Sequence, residues 1–357
     1  MNRMDTTSAP LRVGLLGFGL AGSVFHAPLI ATTPGLALDT VVTSDPERQE
    51  RARRAGAPGS EVRTLASADE LFADADRLDL VVVATPNRTH VELAHRALDA
   101  GLPVVVDKPL APTAAEAREL AAKAEARGLL LAPFQNRRWD NDFLTLRSLL
   151  AEDALGEVHR FESRFERWRP RPKGGWRESG DPMEVGGLLY DLGSHLVDQA
   201  LTLFGPAASV YAESDVRRQG AEADDDTFIA LTHESGVRSH LWMSATAAQP
   251  GPRFRVLGSR AAYVKYGLDP QENALREGAR PAQGEPWGVE PESAWGTLGA
   301  LAEVRTVPTL DGDYPAFYEA VAAALREGTP PPVTAHEAAA ALQVLETARA
   351  FTRARTL

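Results

Sequence analysis

Leu11-Arg12-Val13-Gly14-Leu15-Leu16-Gly17-Phe18-Gly19-Leu20-Ala21-Gly22 is the stretch whose reading decides the fold. Its first half is a short, nearly continuous apolar run, the pattern of a parallel strand buried on both faces. It leads straight into glycines at 17, 19 and 22. In a strand-to-helix turn the first glycine permits the tight bend, the second lets a pyrophosphate approach the backbone, and the third lets the helix pack closely. The helix N-terminus then faces the phosphates. Alone, the spacing also fits a glycine-rich turn with no ligand, so its weight comes from the pattern of the next hundred or so residues.

Beyond the turn, strands and helices alternate. Residues 38–43 form a second apolar strand, ending ~20 residues after the glycines, where a dinucleotide-binding fold tests the adenosine ribose. Thr43 stands there, not an acid. A carboxylate would accept hydrogen bonds from the ribose of NAD and repel the 2′-phosphate of NADP. Thr43 and Ser44 can donate to a phosphate, and Arg48 one turn on adds positive charge, with Asp45 working against it. NADP is the favoured cofactor and NAD the alternative.

Residues 78–84, 102–106 and 129–132 read as further buried strands, with a helix over 114–127 before the last. Thr85-Pro86-Asn87 and His90 come after one of these strands, and Asp107-Lys108-Pro109 after the next. Strand ends in such sheets line the ligand crevice. The candidate cofactor contacts are therefore Gly17, Phe18, Gly19, Leu20, Ala21, Gly22, Thr43, Ser44, Arg48, Thr85, Pro86, Asn87, His90 and Lys108. Turn and capping roles explain Thr85 and Asn87 equally well, and packing at a helix start explains His90. Lys108 stands at the crevice mouth, although a solvated loop lysine has the same signature.

The chain of 357 residues exceeds the size of a single core, so two domains are expected. Residues 1–132 read as a Rossmann-type domain with a doubly wound parallel sheet, and residues 133–357 as an α+β domain. Closely spaced strands at 227–233, 237–245 and 253–257 predict a mixed or antiparallel sheet in the second part. Residues 157–168 are ambiguous. Val158, Phe161, Phe165 and Trp168 have helical spacing, Phe161, Ser163 and Phe165 alternate, and the aromatic content favours a strand. Helices over 314–327 and 335–353 are expected to pack against the body.

Residues 186–200 are the most informative segment of the second part. As a helix they place Asp191, His195 and Asp198 on one face, among Leu188, Leu192, Leu196 and Ala200. Two carboxylates beside one imidazole would raise its proton affinity and orient it, as a general base for an alcohol requires. A solvated polar stripe is the bland alternative. An Asp-x-x-x-His pair without a third ligand nearby gives no metal site. Asp224-Asp225-Asp226 lacks the spacing of a calcium loop and reads as a solvated turn.

Hydrophobic content of 44% and charged content of 24% indicate a folded globular chain. The net charge of −11 argues against a nucleic-acid partner, and Arg53-Arg54 and Arg217-Arg218 read as solvated faces. The absence of cysteine excludes disulfides and thiolate metal sites and fits the cytoplasm, the expected location. The apolar stretch from Val13 to Phe25 superficially resembles a secretory signal, but its glycines suit a turn, and no run of ~18 apolar residues exists to span a membrane. Residues 1–10 look like a loose tail.

Together the glycine motif, Asp107-Lys108-Pro109 and Asp191-x-x-x-His195 resemble the Gfo/Idh/MocA oxidoreductase family over nearly the whole chain. Segments 19–26, 136–143, 189–195 and 265–269 are similar to NADP-dependent scyllo-inositol 2-dehydrogenases within it. The resemblance implies that Lys108 matches the lysine of the family's Glu-Lys-Pro motif, and Asp191 and His195 its acid and histidine. Asp107 stands where glutamate is usual. It also implies a large, mostly antiparallel open sheet in the second domain, whose face forms a homodimer or homotetramer.

The expected activity is hydride exchange between a secondary alcohol of a cyclic polyol or sugar and NAD(P). His195 would act as base, Asp191 would orient the imidazole, and Lys108 would stabilise the alkoxide. Candidate substrate contacts are Lys108, Arg137, Arg138, Asp140, Asn141, Asp191 and His195, with Tyr190, Trp168 and Arg169 weaker. The alternatives are an aldose or dihydrodiol substrate, or a dinucleotide-sensing regulator without turnover.

Overall fold

Apolar runs separated by helices build a parallel sheet in the first part of the chain. The computed structural model describes residues 9–353 apart from 173, 176–177, 181–183 and 283, so most of the expected N-terminal tail lies outside the described residues. Six strands run parallel: β1 Leu11–Leu16, β2 Leu36–Val42, β3 Arg63–Leu65, β4 Leu80–Val83, β5 Val104–Asp107 and β6 Leu131–Phe134. Their order is β3-β2-β1-β4-β5-β6. Every residue of β4 is buried, as two helix-covered faces demand. Chain direction across the sheet reverses between β1 and β4, which opens a crevice at their carboxyl ends. Pro133 sits in edge strand β6, where a missing backbone donor is tolerated. The division drawn after residue 132 therefore falls inside a strand.

The second sheet contains β7 Val158–Glu166, β8 Ala207–Asp215, β9 Asp226–His233, β10 Arg238–Ser244, β11 Phe254–Gly258, β12 Ala262–Lys265, β13 Gly296–Ala300 and β14 Glu303–Val307. Their order is β14-β13-β12-β11-β7-β10-β9-β8, antiparallel except between β7 and β10. The ambiguous segment is thus a strand. Its Phe161, Ser163 and Phe165 are buried, and Phe161 and Phe165 join one core with Leu196, Val197 and Ala200 of the helix Gly193–Phe204.

Two expectations are corrected. The helix over 186–200 is broken into one turn, Leu188–Asp191, and the helix Gly193–Phe204, with Leu192 between them. Asp224 caps the first turn. Its carboxylate accepts the Leu189 N–H at 2.7 Å, and a Cβ on Gly187 would lie 1.9 Å from that carboxylate. The Asp224-Asp225-Asp226 turn is accordingly not simply solvated. Asp225 is fully buried and accepts Nε of Arg218 at 2.8 Å, so Arg218 belongs to the interior and not to a solvated face.

The C-terminal helices tie the two sheets together. Phe317, Tyr318, Val321 and Ala322 of the helix Pro315–Glu327 share a core with Val13, Leu15, Val82 and Phe134 of the parallel sheet. The helix Ala335–Arg353 joins a core holding both Leu120 and Ala212. Among the described residues no helix is long and apolar enough to cross a membrane.

Candidate active site

The ends of β1, β2, β4 and β5 converge on a cavity of about 540 Å³. Of the candidate cofactor contacts, Gly17, Phe18, Gly19, Leu20, Ala21, Thr43, Ser44, Arg48, Thr85, Pro86, Asn87 and Lys108 line it. The glycines divide the work. Gly17 has φ +96°, and a Cβ there would lie 2.5 Å from the carbonyl oxygen of Ala84, so both conformation and contact require glycine. A Cβ on Gly22 would lie 2.1 Å from the Gly17 oxygen. Gly22 thus holds the helix against the turn and does not line the cavity. Gly19 meets nothing within 4 Å, and its φ is not positive. The protein itself does not demand glycine there; the open space is what a pyrophosphate lying on the backbone would fill. The cavity fits a dinucleotide on this ground.

At the adenosine end, Asp45 caps the helix Pro46–Ala52, accepting the amides of Glu47 at 2.9 Å and Arg48 at 3.0 Å. It also pairs with Arg48 at 3.4 Å. Its charge is engaged locally, leaving Thr43, Ser44 and Arg48 on the cavity wall. His90 is corrected. It is 1% exposed, its ring bonded to the carbonyls of Pro109 (2.8 Å) and Thr85 (2.9 Å), so it fastens two strand ends from behind the cavity.

At the opposite end the second part of the chain closes the cavity with Val185, Gly186, Tyr190 and Asp191. Asn87 donates to the Glu184 carbonyl at 3.1 Å, and Arg88 pairs with the Glu184 carboxylate. Lys108 crosses the junction. Its Nζ donates to Asp191 Oδ1 at 2.9 Å and to the Asp191 carbonyl at 2.7 Å. Asp107 also lines the cavity, and its carboxylate accepts the Lys108 amide at 2.8 Å.

His195 lies behind this pair, 5% exposed and outside the cavity lining. The expected carboxylate neighbours are corrected here. Asp198 is taken by Arg138, and the Nδ1 contact of His195 is with Gln135 Oε1 at 3.2 Å. An amide oxygen only accepts, so Nδ1 carries the hydrogen and Nε2 keeps its lone pair. Burial, then the cations Lys108, Arg137 and Arg253, push the His195 pKa well below its ordinary value, opposite to the expected rise. The imidazole is held neutral with Nε2 unprotonated, and it takes up a proton only against this bias. Gln135 lies just past β6 as Lys108 lies just past β5, so the strand-end rule that found the lysine could have found it.

The 137–141 segment, expected to touch substrate, turns inward. Arg138 makes a bidentate pair with Asp198 at 2.8 and 2.7 Å and a third bond to Glu337 at 2.9 Å. Asp140 is 1% exposed, accepts the Tyr314 hydroxyl at 2.7 Å, and has its pKa raised by burial. Asn141 is fully buried and donates its amide to Asp269 at 2.7 Å. These three residues are scaffold. Arg137 alone faces the His195 region, 4.9 Å over the Phe165 ring and paired with Glu272.

Residues 11–134 match the model of the oxidoreductase family with an NAD-binding Rossmann fold, and residues 143–264 match the GFO/IDH/MocA C-terminal domain. The chain is 43% identical over 343 residues to the uncharacterized oxidoreductase YdgJ of Escherichia coli, with 94% of each covered. It is 36% identical to scyllo-inositol 2-dehydrogenase (NADP(+)) IolW of Bacillus subtilis, covering 95% of this chain and 92% of that one. The solved structure of YvaA from Bacillus subtilis superimposes with a TM-score of 0.90 at 33% identity, covering 99% of this chain and 98% of that one. With a parallel dinucleotide-binding sheet, a mostly antiparallel second sheet and relatives matching along nearly its full length, the chain belongs to the Gfo/Idh/MocA family of oxidoreductases.

Proposed function

We propose that the protein is an NADP-dependent dehydrogenase interconverting a secondary alcohol of a cyclic polyol or sugar and the corresponding ketone. The observation that carries this reading is Lys108, bridged to Asp191 at the cavity's closed end, with the neutral base His195 behind it. A bound nicotinamide supplies the hydride acceptor. Nε2 of His195 takes the hydroxyl proton of the substrate. Nζ of Lys108 stabilises the negative charge growing on that oxygen, and so acts on the transition state. Asp191 positions the lysine, a role the sequence had given it toward the imidazole. A polyol substrate draws support from the similarity to IolW, whose name specifies scyllo-inositol and NADP.

NADP is favoured because the cavity wall at the adenosine end carries the donors Thr43 and Ser44 and the cation Arg48, with Asp45 engaged as a cap. Assembly as a homodimer or homotetramer is part of the same reading. One face of the second sheet carries an aromatic group, with Phe228 5.0 Å from Trp242 and Arg164 3.9 Å above it.

The test is absorbance at the reduced-nicotinamide band with NADP or NAD and a panel of inositols and aldoses together with their carboxylated and phosphorylated forms. Reduction with NADP and at least one polyol is expected, and silence with the whole panel would overturn the activity. Tighter binding of NAD than NADP in a direct titration would overturn the cofactor assignment.

A further inference from the structure

Most cations around the catalytic cluster have an acidic partner. Lys108 pairs with Asp191, Arg137 with Glu272 and Asp140, Arg253 with Asp142, and Arg218 with Asp225 and Glu178. Arg167 and Arg169 differ. Their backbones are fixed at the end of β10, Arg167 N–H donating to Ser244 at 2.9 Å and Arg169 N–H to Ala245 at 2.8 Å. Neither guanidinium has a hydrogen bond or ion pair among the described residues.

Both residues extend β7 past its last residue, Glu166, alongside the end of β10. Phe165, two positions before Arg167, lies edge-on to the His195 ring at 6.4 Å. Asp191 and Glu272 are the carboxylates whose fields reach Arg167. Burial, then the neighbouring Arg169, make its charge harder to hold. Both carboxylates already have cationic partners in Lys108 and Arg137. A half-buried guanidinium without a counter-ion, beside a second one, is electrostatically unsatisfied. A compact anion resolves this, because the planar forks of arginine match carboxylate and phosphate oxygens and have only donors to offer.

We propose that Arg167, assisted by Arg169, anchors an anionic group carried by the polyol substrate, a carboxylate or a phosphate ester remote from the reacting carbon. The assignment rests on the dehydrogenase reading for the reaction but not for the binding. It places a specificity contact on the extension of β7, whereas Lys108 and His195 serve the reacting carbon. A substrate held at both ends is oriented as well as bound.

The test uses the full-length protein saturated with NADP and measures the affinities of glucose, glucuronate and glucose 6-phosphate by calorimetry, with turnover followed in parallel. At least one anionic probe is expected to bind about tenfold or more tighter than glucose. The arm that does so identifies carboxylate or phosphate. Arg167→Gln should remove most of that preference, Arg167→Lys should restore part of it, and Arg169→Gln should remove less. NADP affinity and melting temperature, measured on each variant, separate a local loss from a folding defect. Equal affinity for neutral and anionic probes in the unaltered protein, or equal weakening of all probes by Arg167→Gln, would overturn the proposal. Anion preference without turnover of any probe would leave the anchor standing and count against the dehydrogenase reading.

Discussion

Asp191 and Asp198 leave the same stretch of chain and meet opposite fates. Asp191 lines the cavity, partly exposed, and holds Lys108. Asp198 is 3% exposed and locked to Arg138, which also reaches Glu337 on the C-terminal helix. One ion pair faces the space where chemistry is proposed; the other joins three segments in the interior. A polar stripe on an apolar helix is therefore not one device. Its position along the helix decides whether it serves reaction or architecture.

The sharpest way to break this contrast is through the proposed reacting groups. Lys108→Met or His195→Ala should lower turnover by about a hundredfold to ten-thousandfold while NADP affinity, read by titration, changes only a few-fold. Retained turnover would remove these residues from the mechanism.

Next come the two aspartates themselves. Asp198→Ala leaves a buried guanidinium with only the half-exposed Glu337 as partner and should cost about 3 kcal/mol in denaturant unfolding, with the folded fraction still active. Asp191→Ala should do the reverse, losing turnover with little change in stability, because its pair is partly solvated. If both variants behaved alike, the division between reaction and architecture would fail.

The glycines offer a smaller version of the same contrast. Gly19→Ala should fold normally and weaken NADP binding, since its Cβ enters open cavity. Gly22→Ala should reduce stability as well, since its Cβ would collide with the Gly17 carbonyl. Melting temperature and cofactor titration on both variants check this.

The smallest effect is in pH dependence. A His195 pKa below the ordinary 6.5 keeps the base unprotonated as pH falls, so the acid limb of kcat/KM for alcohol oxidation should lie below that value. Replacing Arg253 with glutamine removes one of the cations and should move the limb upward. A limb above 6.5 in the unaltered enzyme would contradict a buried, cation-flanked imidazole.

Much of the nucleotide-binding half was legible because its signals are local. Apolar runs set the strands, and residues just after them, such as Gly17, Thr43, Thr85 and Lys108, must come to the crevice whatever else the chain does. His90 and Gly22 departed because each lies inside a helix start, a turn beyond the strand end. In the other half the same reasoning had less purchase. Periodicity placed Asp191, His195 and Asp198 on one face but could not see the interruption at Leu192, nor Asp224, distant in sequence, capping the turn before it.

The sequence by itself determined the parallel sheet, the glycine turn, the strand-end candidates and the family, because backbone geometry and burial patterns act over a few residues. Tertiary structure alone decided which charged groups pair. Arg138 sought Asp198, Lys108 sought Asp191, and His195 was left neutral against Gln135. Electrostatic partners are chosen by distance and desolvation in space, and those are set only when the two sheets and the C-terminal helices have packed.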